Sequence, residues 1–172
     1  MFNVKTLGQV FTPQAIVAEM LQLRKNFGRV LEPSCGNGAF VKEIPDCVGI
    51  EIDPAHCPQN ALNMDFFDYP IEEKFSTIIG NPPYVRFQDI DNTTKSKLQS
   101  KIFDNRSNLY LFFIEKCINH LEDGGELIFI TPRDFLKATS SAMLNKFIYE
   151  SGTITNLIDL GDQPIFQGFS PN

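Results

Sequence analysis

Pairs of cysteines at metal-binding or redox spacing are missing from this chain. Cys35, Cys47, Cys57 and Cys117 stand apart, and neither His56 nor His120 lies beside a Cys-x-x-Cys pair. A structural zinc site is therefore not expected, and a disulfide framework has no support without an export signal. The cysteines read as small buried apolar residues. Apolar runs of membrane-spanning length are also lacking, and Met1 to Thr6 show no basic flank leading into a long apolar core, so the expectation is cytoplasmic residence with no membrane partner. Positive charge is scarce: 15 Lys and Arg against 21 Asp and Glu leave a net charge of -6. That is the wrong sign for a domain that grips a phosphate backbone by bulk attraction. Low-complexity tracts are absent and charged residues make up 21%, which excludes a disordered chain.

What is present is enough hydrophobic residue, 42% of 172, for one domain with a real core. The most informative stretch is the apolar run Phe75 to Ile79, which breaks into Gly80-Asn81-Pro82-Pro83-Tyr84. This reads as a buried strand ending in a rigid turn. Two prolines fix the backbone and disfavour helix in the residue before each, so the Asn81 side chain and the Pro82 carbonyl are held in an extended geometry. Two acceptors side by side suit a substrate NH2 group, and Tyr84 offers a flat face for a planar ring. Taken alone, the same four residues also fit an ordinary turn after a strand. Their surroundings decide between the two readings.

Thr12-Pro13 followed by Ile16, Val17, Met20 and Leu21 predicts a helix with Thr12 as N-cap and Pro13 as its first residue. Arg29 to Leu31 predicts a strand, and Glu32-Pro33-Ser34-Cys35-Gly36-Asn37-Gly38 a glycine turn into a short helix reaching about Ile44. Gly36 and Gly38 allow positive φ and close approach of the backbone to a ligand. Neither the dinucleotide nor the P-loop pattern is complete, which favours a ligand without a pyrophosphate over those two. Cys47 to Asp53 predicts a second strand ending in acids, with Glu51 placed to hold a ribose diol. Asn60 to Met64 predicts a weak third strand, ending at Asp65-Phe66-Phe67-Asp68, where Asp65 can accept from an exocyclic amine while Phe66 packs on a flat base. Four strands ending in polar turns should direct all four turns into one crevice beyond the carboxyl edge of a parallel sheet.

Arg86 to Arg106 is locally basic, fitting either a polar loop over the site or a solvated linker. Ser107 to Leu121 predicts an apolar helix stopped by Asp123-Gly124-Gly125, Glu126 to Ile130 a fifth strand, Arg133 to Glu150 a helix with Phe135, Leu136, Met143, Leu144, Phe147 and Ile148 inward, and Thr153 to Leu160 a sixth strand. The predicted class is α/β: a doubly wound, mostly parallel sheet with helices on both faces.

In this order the segments resemble the adenine-specific DNA methyltransferases of the amino-methyltransferase group, the TaqI-like enzymes whose cofactor motifs precede the catalytic one. Val10-Phe11-Thr12-Pro13 is similar to the N-terminal motif and Leu31 to Phe40 to the cofactor loop. Gly49 to Pro54 is similar to the ribose motif, Asp65-Phe66-Phe67 to the adenine motif, and Asn81-Pro82-Pro83-Tyr84 to the catalytic motif. The resemblance implies S-adenosylmethionine (SAM) as methyl donor, with Thr12, Glu32, Ser34, Cys35, Gly36 and Gly38 around its methionine part. It places Glu51 and Ile52 at the ribose, Asp65 and Phe66 at the adenine, and Asn81 near both cofactor and target. It further implies a Rossmann-like fold and a flipped DNA adenine stacked on Tyr84, its amine held by Asn81 and Pro82. A restriction endonuclease is the implied partner or fusion, and no metal is required. Residues 1–172 would then be a catalytic domain that lacks its last strand and its target-recognition domain. Protein glutamine methyltransferases share the catalytic motif but should carry a helical substrate-binding domain ahead of the cofactor loop. A non-catalytic SAM-binding fragment is the other alternative.

Overall fold

The structure is a computed structural model that describes residues 10–104, 107–132 and 141–161. Five strands form one parallel sheet in the order β3-β2-β1-β4-β5: β1 (Val30–Glu32), β2 (Val48–Glu51), β3 (Leu62–Asn63), β4 (Phe75–Gly80) and β5 (Leu121–Phe129). Order reverses between β1 and β4, and at such a switch point the turns on either side diverge and leave a crevice.

Strand side chains alternate between two apolar layers, which is why β1 and β4 are apolar on consecutive residues rather than alternately. Leu31 and Ile78 face a layer containing Phe66, Phe75, Leu109, Phe113 and Cys117, while Val30 and Ile79 face Val17, Met20, Phe40, Val41, Ile44 and Cys47. The helix α1 (Gln14–Gln22) covers the second layer through buried Val17 and Met20. A four-residue helix α2 (Asn92–Lys95) follows β4. The helix α3 (Leu109–His120) is buried on nearly all sides, because it packs on the sheet and under a further cluster with Phe103 and Leu144. Leu144 belongs to α4 (Ser141–Ser151). At the amino edge of the sheet Glu126 accepts from the Asn26 amide at 2.8 Å and from the Thr77 hydroxyl at 2.9 Å, tying β4 and β5 to the segment before β1.

Several sequence expectations shift. Pro13, not Thr12, is the N-cap of α1, and no side chain caps it, because proline carries no side-chain acceptor; its carbonyl accepts from the Ile16 and Val17 amides. Residues 34–46 make turns rather than a regular helix: the Lys42 and Ile44 amides bond four residues back, but the Val41 amide goes to Glu32 Oε2 and the Glu43 amide bonds three residues back to Phe40. Asp123-Gly124-Gly125 lies inside β5, at a register shift against β4, so helix α3 ends directly into a bulged strand. Met143 is 52% exposed instead of inward. The predicted sixth strand is absent: residues 152–160 adopt no regular element, and Leu157 is 67% exposed. Its apolar residues resemble a strand, but a strand forms only where a neighbour completes its hydrogen bonds. Phe135, Leu136 and Arg106 fall outside the described residues.

Candidate functional site

The carboxyl ends of β1, β2, β3 and β4 converge on one cavity of about 430 Å³. Its walls contain Thr12, Glu32, Ser34, Cys35, Gly36, Glu51, Ile52, Asp65, Phe66 and Asn81 from the predicted set. Gly38, Pro82 and Tyr84 do not line it.

After β1 the chain turns through Gly36 at φ +52° and Gly38 at φ +78°, left-handed conformations that L side chains rarely adopt. The Gly36 amide donates to Glu51 Oε2 at 2.7 Å and the Asp53 amide to Glu51 Oε1 at 2.8 Å. Backbone donors on both oxygens thereby fix the plane of a buried carboxylate facing the cavity. Gly38 also meets a packing limit, for a Cβ there would lie 2.8 Å from the Pro58 ring.

Glu32 is 2% exposed and accepts from the Val41 amide at 2.9 Å. Burial pushes its pKa up to about 8; amides of Val41 and Phe40 oppose the shift, and the charge of Glu51 adds to it. Asp53, next to the cavity wall, pairs with His56 at 2.8 Å, and that hydrogen bond holds its carboxyl below the usual range. Burial raises the Cys35 thiol well above its ordinary pKa, so Cys35 is a packing residue rather than a nucleophile.

The turn after β4 is pinned at Gly80, Asn81 and Tyr84. The Gly80 carbonyl accepts from the Ile130 amide at 3.2 Å, and the Asn81 carbonyl accepts from the Ser34 hydroxyl at 3.3 Å, joining the first turn to the fourth. Asn81 Nδ2 donates to the Val10 carbonyl at 3.0 Å. A carbonyl can only accept, so this contact settles which end of the amide is nitrogen. Asn81 Oδ1 consequently faces the Tyr84 hydroxyl, 2.7 Å away, and the Ile130 carbonyl lies 2.7 Å from the same hydroxyl. Tyr84 meets Tyr110 edge-on with centroids 5.9 Å apart, and burial raises its phenol far above the ordinary range.

At the other end of the cavity Asp65 Oδ1 accepts from the Phe67 amide at 3.0 Å, starting a single 3₁₀ turn that presents Phe66. Phe66 is anchored by Phe113 at 5.1 Å and by the Lys116 ammonium 5.2 Å over its ring. Apolar Val85, Ile90, Leu109 and Phe113 extend this wall, and Phe11 and Val10 border the opposite side. Sequence patterns place the acids and the Asn81 turn but not these neighbours, whose approach depends on contacts remote along the chain. Phe11 had a signal, as part of the N-terminal motif. Among the described residues no group of three His, Cys, Asp or Glu is arranged to hold a metal ion, and no helix is long and apolar enough to cross a membrane.

Two solved structures share this fold. A Listeria monocytogenes protein assigned to the class I S-adenosylmethionine-dependent methyltransferases superposes with a TM-score of 0.62 at 18% identity, covering 87% of this chain and 54% of that one. The modification subunit assigned to a type I restriction enzyme of Vibrio vulnificus YJ016 gives 0.62 at 15% identity, covering 81% and 38%. Among curated sequences, the Type II methyltransferase M.HincII of Haemophilus influenzae is 33% identical over 96% of this chain and 36% of its own length. M.TthHB8I of Thermus thermophilus is 31% identical over 95% and 43%. The chain thus spans well under half the length of these two relatives. The profile of the Eco57I restriction-modification methylases matches residues 39–166, from the cofactor-loop turn through the Asn81 turn and beyond, and the chain belongs to that family.

Proposed function

We propose that this chain is the cofactor-binding and catalytic part of a DNA methyltransferase that transfers a methyl group from SAM to the exocyclic N6 amine of adenine, within a restriction-modification system. The observation that carries the reading is the convergence of Glu51, Asp65 and Asn81 on one cavity of about 430 Å³, each from a different strand end, in a chain of this family. The donor set fits SAM. Glu51 is held flat by two backbone amides, as a ribose diol requires, and Asp65 beside Phe66 matches an amino-bearing ring. The largely apolar walls match a ligand of this size, and Glu51 and Asp65 supply acidic groups within it. When bound, SAM supplies an electrophilic methyl group on a sulfonium.

The remaining work falls to the Asn81 turn. An adenine amine is a poor nucleophile because its lone pair is delocalised into the ring. Acceptors at Asn81 Oδ1 and the Pro82 carbonyl favour a more tetrahedral nitrogen, and this preference grows as the new bond forms, so the transition state is stabilised more than the ground state. Oδ1 has two lone pairs, and the Tyr84 hydroxyl on one of them has a second acceptor at the same distance, the Ile130 carbonyl. When an amine arrives, the tyrosine proton can turn to Ile130 and release Oδ1 for the amine. Rigidity from Pro82, Pro83 and the Ser34 bond keeps the acceptors in place without reorganisation. Positive charge for gripping DNA, a target-recognition region and an endonuclease partner belong to the longer protein in this reading.

The test uses the longest natural chain containing these residues. Asn81→Ala should lower methyl transfer to adenine in duplex DNA by about 10²-fold or more, the scale of losing one transition-state hydrogen bond, with little effect on SAM affinity. Methylation that appears on cytosine or on a protein glutamine would overturn the reading, as would equal loss of SAM binding and transfer.

A further inference from the structure

We infer that Thr94 and Lys97 are positioning residues that clasp residues 91–97 over the adenine end of the pocket by holding Asp65. The inference rests on the SAM reading above for the identity of the ligand, but its geometry is independent of it.

The segment leaves the catalytic turn, buries Ile90 against the cavity, and starts α2 with Asp91 accepting from the Thr93 amide at 2.8 Å. It then reaches across to the turn after β3. The Thr94 hydroxyl donates to Asp65 Oδ2 at 2.8 Å, and the Lys97 ammonium lies 3.3 Å from the same oxygen and 2.5 Å from Asp68 Oδ2. Thr94, Lys97, Asp65 and Asp68 all line the cavity, so these contacts form part of its wall.

Counting lone pairs shows what the clasp does to Asp65. An ionised carboxylate has about four acceptor positions, two on each oxygen. Oδ2 carries two donors, Thr94 and Lys97, and Oδ1 carries the Phe67 amide. Among the described residues one position on Oδ1 remains, sufficient for one N–H of an amine and unable to donate to a carbonyl. An ionised carboxylate has no proton to donate to an oxo group, so Asp65 favours an amino-bearing ring over an oxo-bearing one, and the clasp holds Oδ1 in the orientation that applies this preference. Lys97 also bridges Asp65 and Asp68 at the edge of an apolar wall, offsetting one of their two negative charges. The Asp65 side chain is 9% exposed, so this pair is only weakly screened by water and salt. Because residues 85–90 join the catalytic turn to this segment, ligand that fills the adenine end braces Asp65 and the chain leaving Tyr84 at once.

The experiment compares wild type, Thr94→Val, Lys97→Met and Lys97→Arg by calorimetric titration with SAM and with its 6-oxo analogue, by stopped-flow measurement of SAM release, and by hydrogen exchange of residues 91–98 without ligand. Lys97→Met should weaken SAM binding about tenfold or more, mostly through faster release. It should narrow the preference for SAM over the 6-oxo analogue and speed amide exchange in 91–98. Lys97→Arg should restore most of each, and Thr94→Val should fall between. A general loss of fold would reduce binding of both ligands alike and leave their ratio unchanged, so an unchanged ratio in Lys97→Met overturns the inference, as do wild-type affinity and release rate in that variant. If wild type binds no SAM, the cofactor reading fails, and the exchange result alone decides the clasp: equal protection in wild type and Lys97→Met refutes it.

Discussion

Replacing Glu32 by glutamine should remove a pH dependence of stability that the fold imposes. Glu32 is 2% exposed, and burial raises its pKa from 4.5 to about 8. A carboxyl with a raised folded pKa contributes stability that is fully present below pH 4.5 and is lost as pH climbs to about 8. Each pH unit within that window costs about 1.4 kcal/mol, so the whole span amounts to on the order of 3–5 kcal/mol, a large share of a domain's stability. Glutamine preserves the shape and can still accept from the Val41 amide, yet stays neutral throughout. Urea unfolding at pH 5, 6, 7 and 8 should show wild type losing stability toward pH 8 relative to Glu32→Gln, with the two chains close at pH 5. The difference isolates Glu32 from every other titrating group. Parallel curves across the window would refute the reasoning.

Tyr84→Phe removes a hydroxyl 2.7 Å from both Asn81 Oδ1 and the Ile130 carbonyl but leaves the cavity walls untouched. It should cost about 1–2 kcal/mol in urea unfolding, while SAM affinity measured by calorimetry stays within about twofold of wild type. His120 is fully buried among Phe66, Tyr69 and Phe75, with Nδ1 2.7 Å from the Glu73 carbonyl and Nε2 without a partner. Burial lowers its pKa below 6.5, so its stabilising effect is complete above 6.5 and is lost as pH falls. His120→Asn should flatten the acid side of the stability profile, and an unchanged acid slope would contradict this.

Much of the site was legible in the sequence because each functional turn is local: a strand of consecutive apolar residues ends in an acid, a glycine or a proline. Glu51 and Asn81 follow that pattern, Asp65 closes the short exposed strand Leu62–Asn63, and a parallel sheet carries all three turns to one edge. Boundaries were less legible where one residue type serves two purposes. Gly124 and Gly125 read as a stop signal yet sit in a bulged strand, and glycines that suggested a helix start at residues 36–38 bend the chain into turns. Ile154, Leu157 and Ile158 have strand composition, but strand formation depends on a neighbour that local sequence does not encode. Contacts such as Val10 with Asn81 and Lys97 with Asp65 join residues far apart in the chain, and no periodicity marks them.

The central claim is that the cavity at the strand ends is a SAM site organised by Glu51. Calorimetric titration of SAM into this chain and into Glu51→Ala tests it most directly. Binding to wild type should be saturable and one-to-one and should weaken by about 10²-fold or more in the variant, since both ribose hydroxyls lose their acceptor and two amides lose theirs. A folded wild-type chain that binds no SAM, or a Glu51→Ala chain that binds it equally well, would contradict the account.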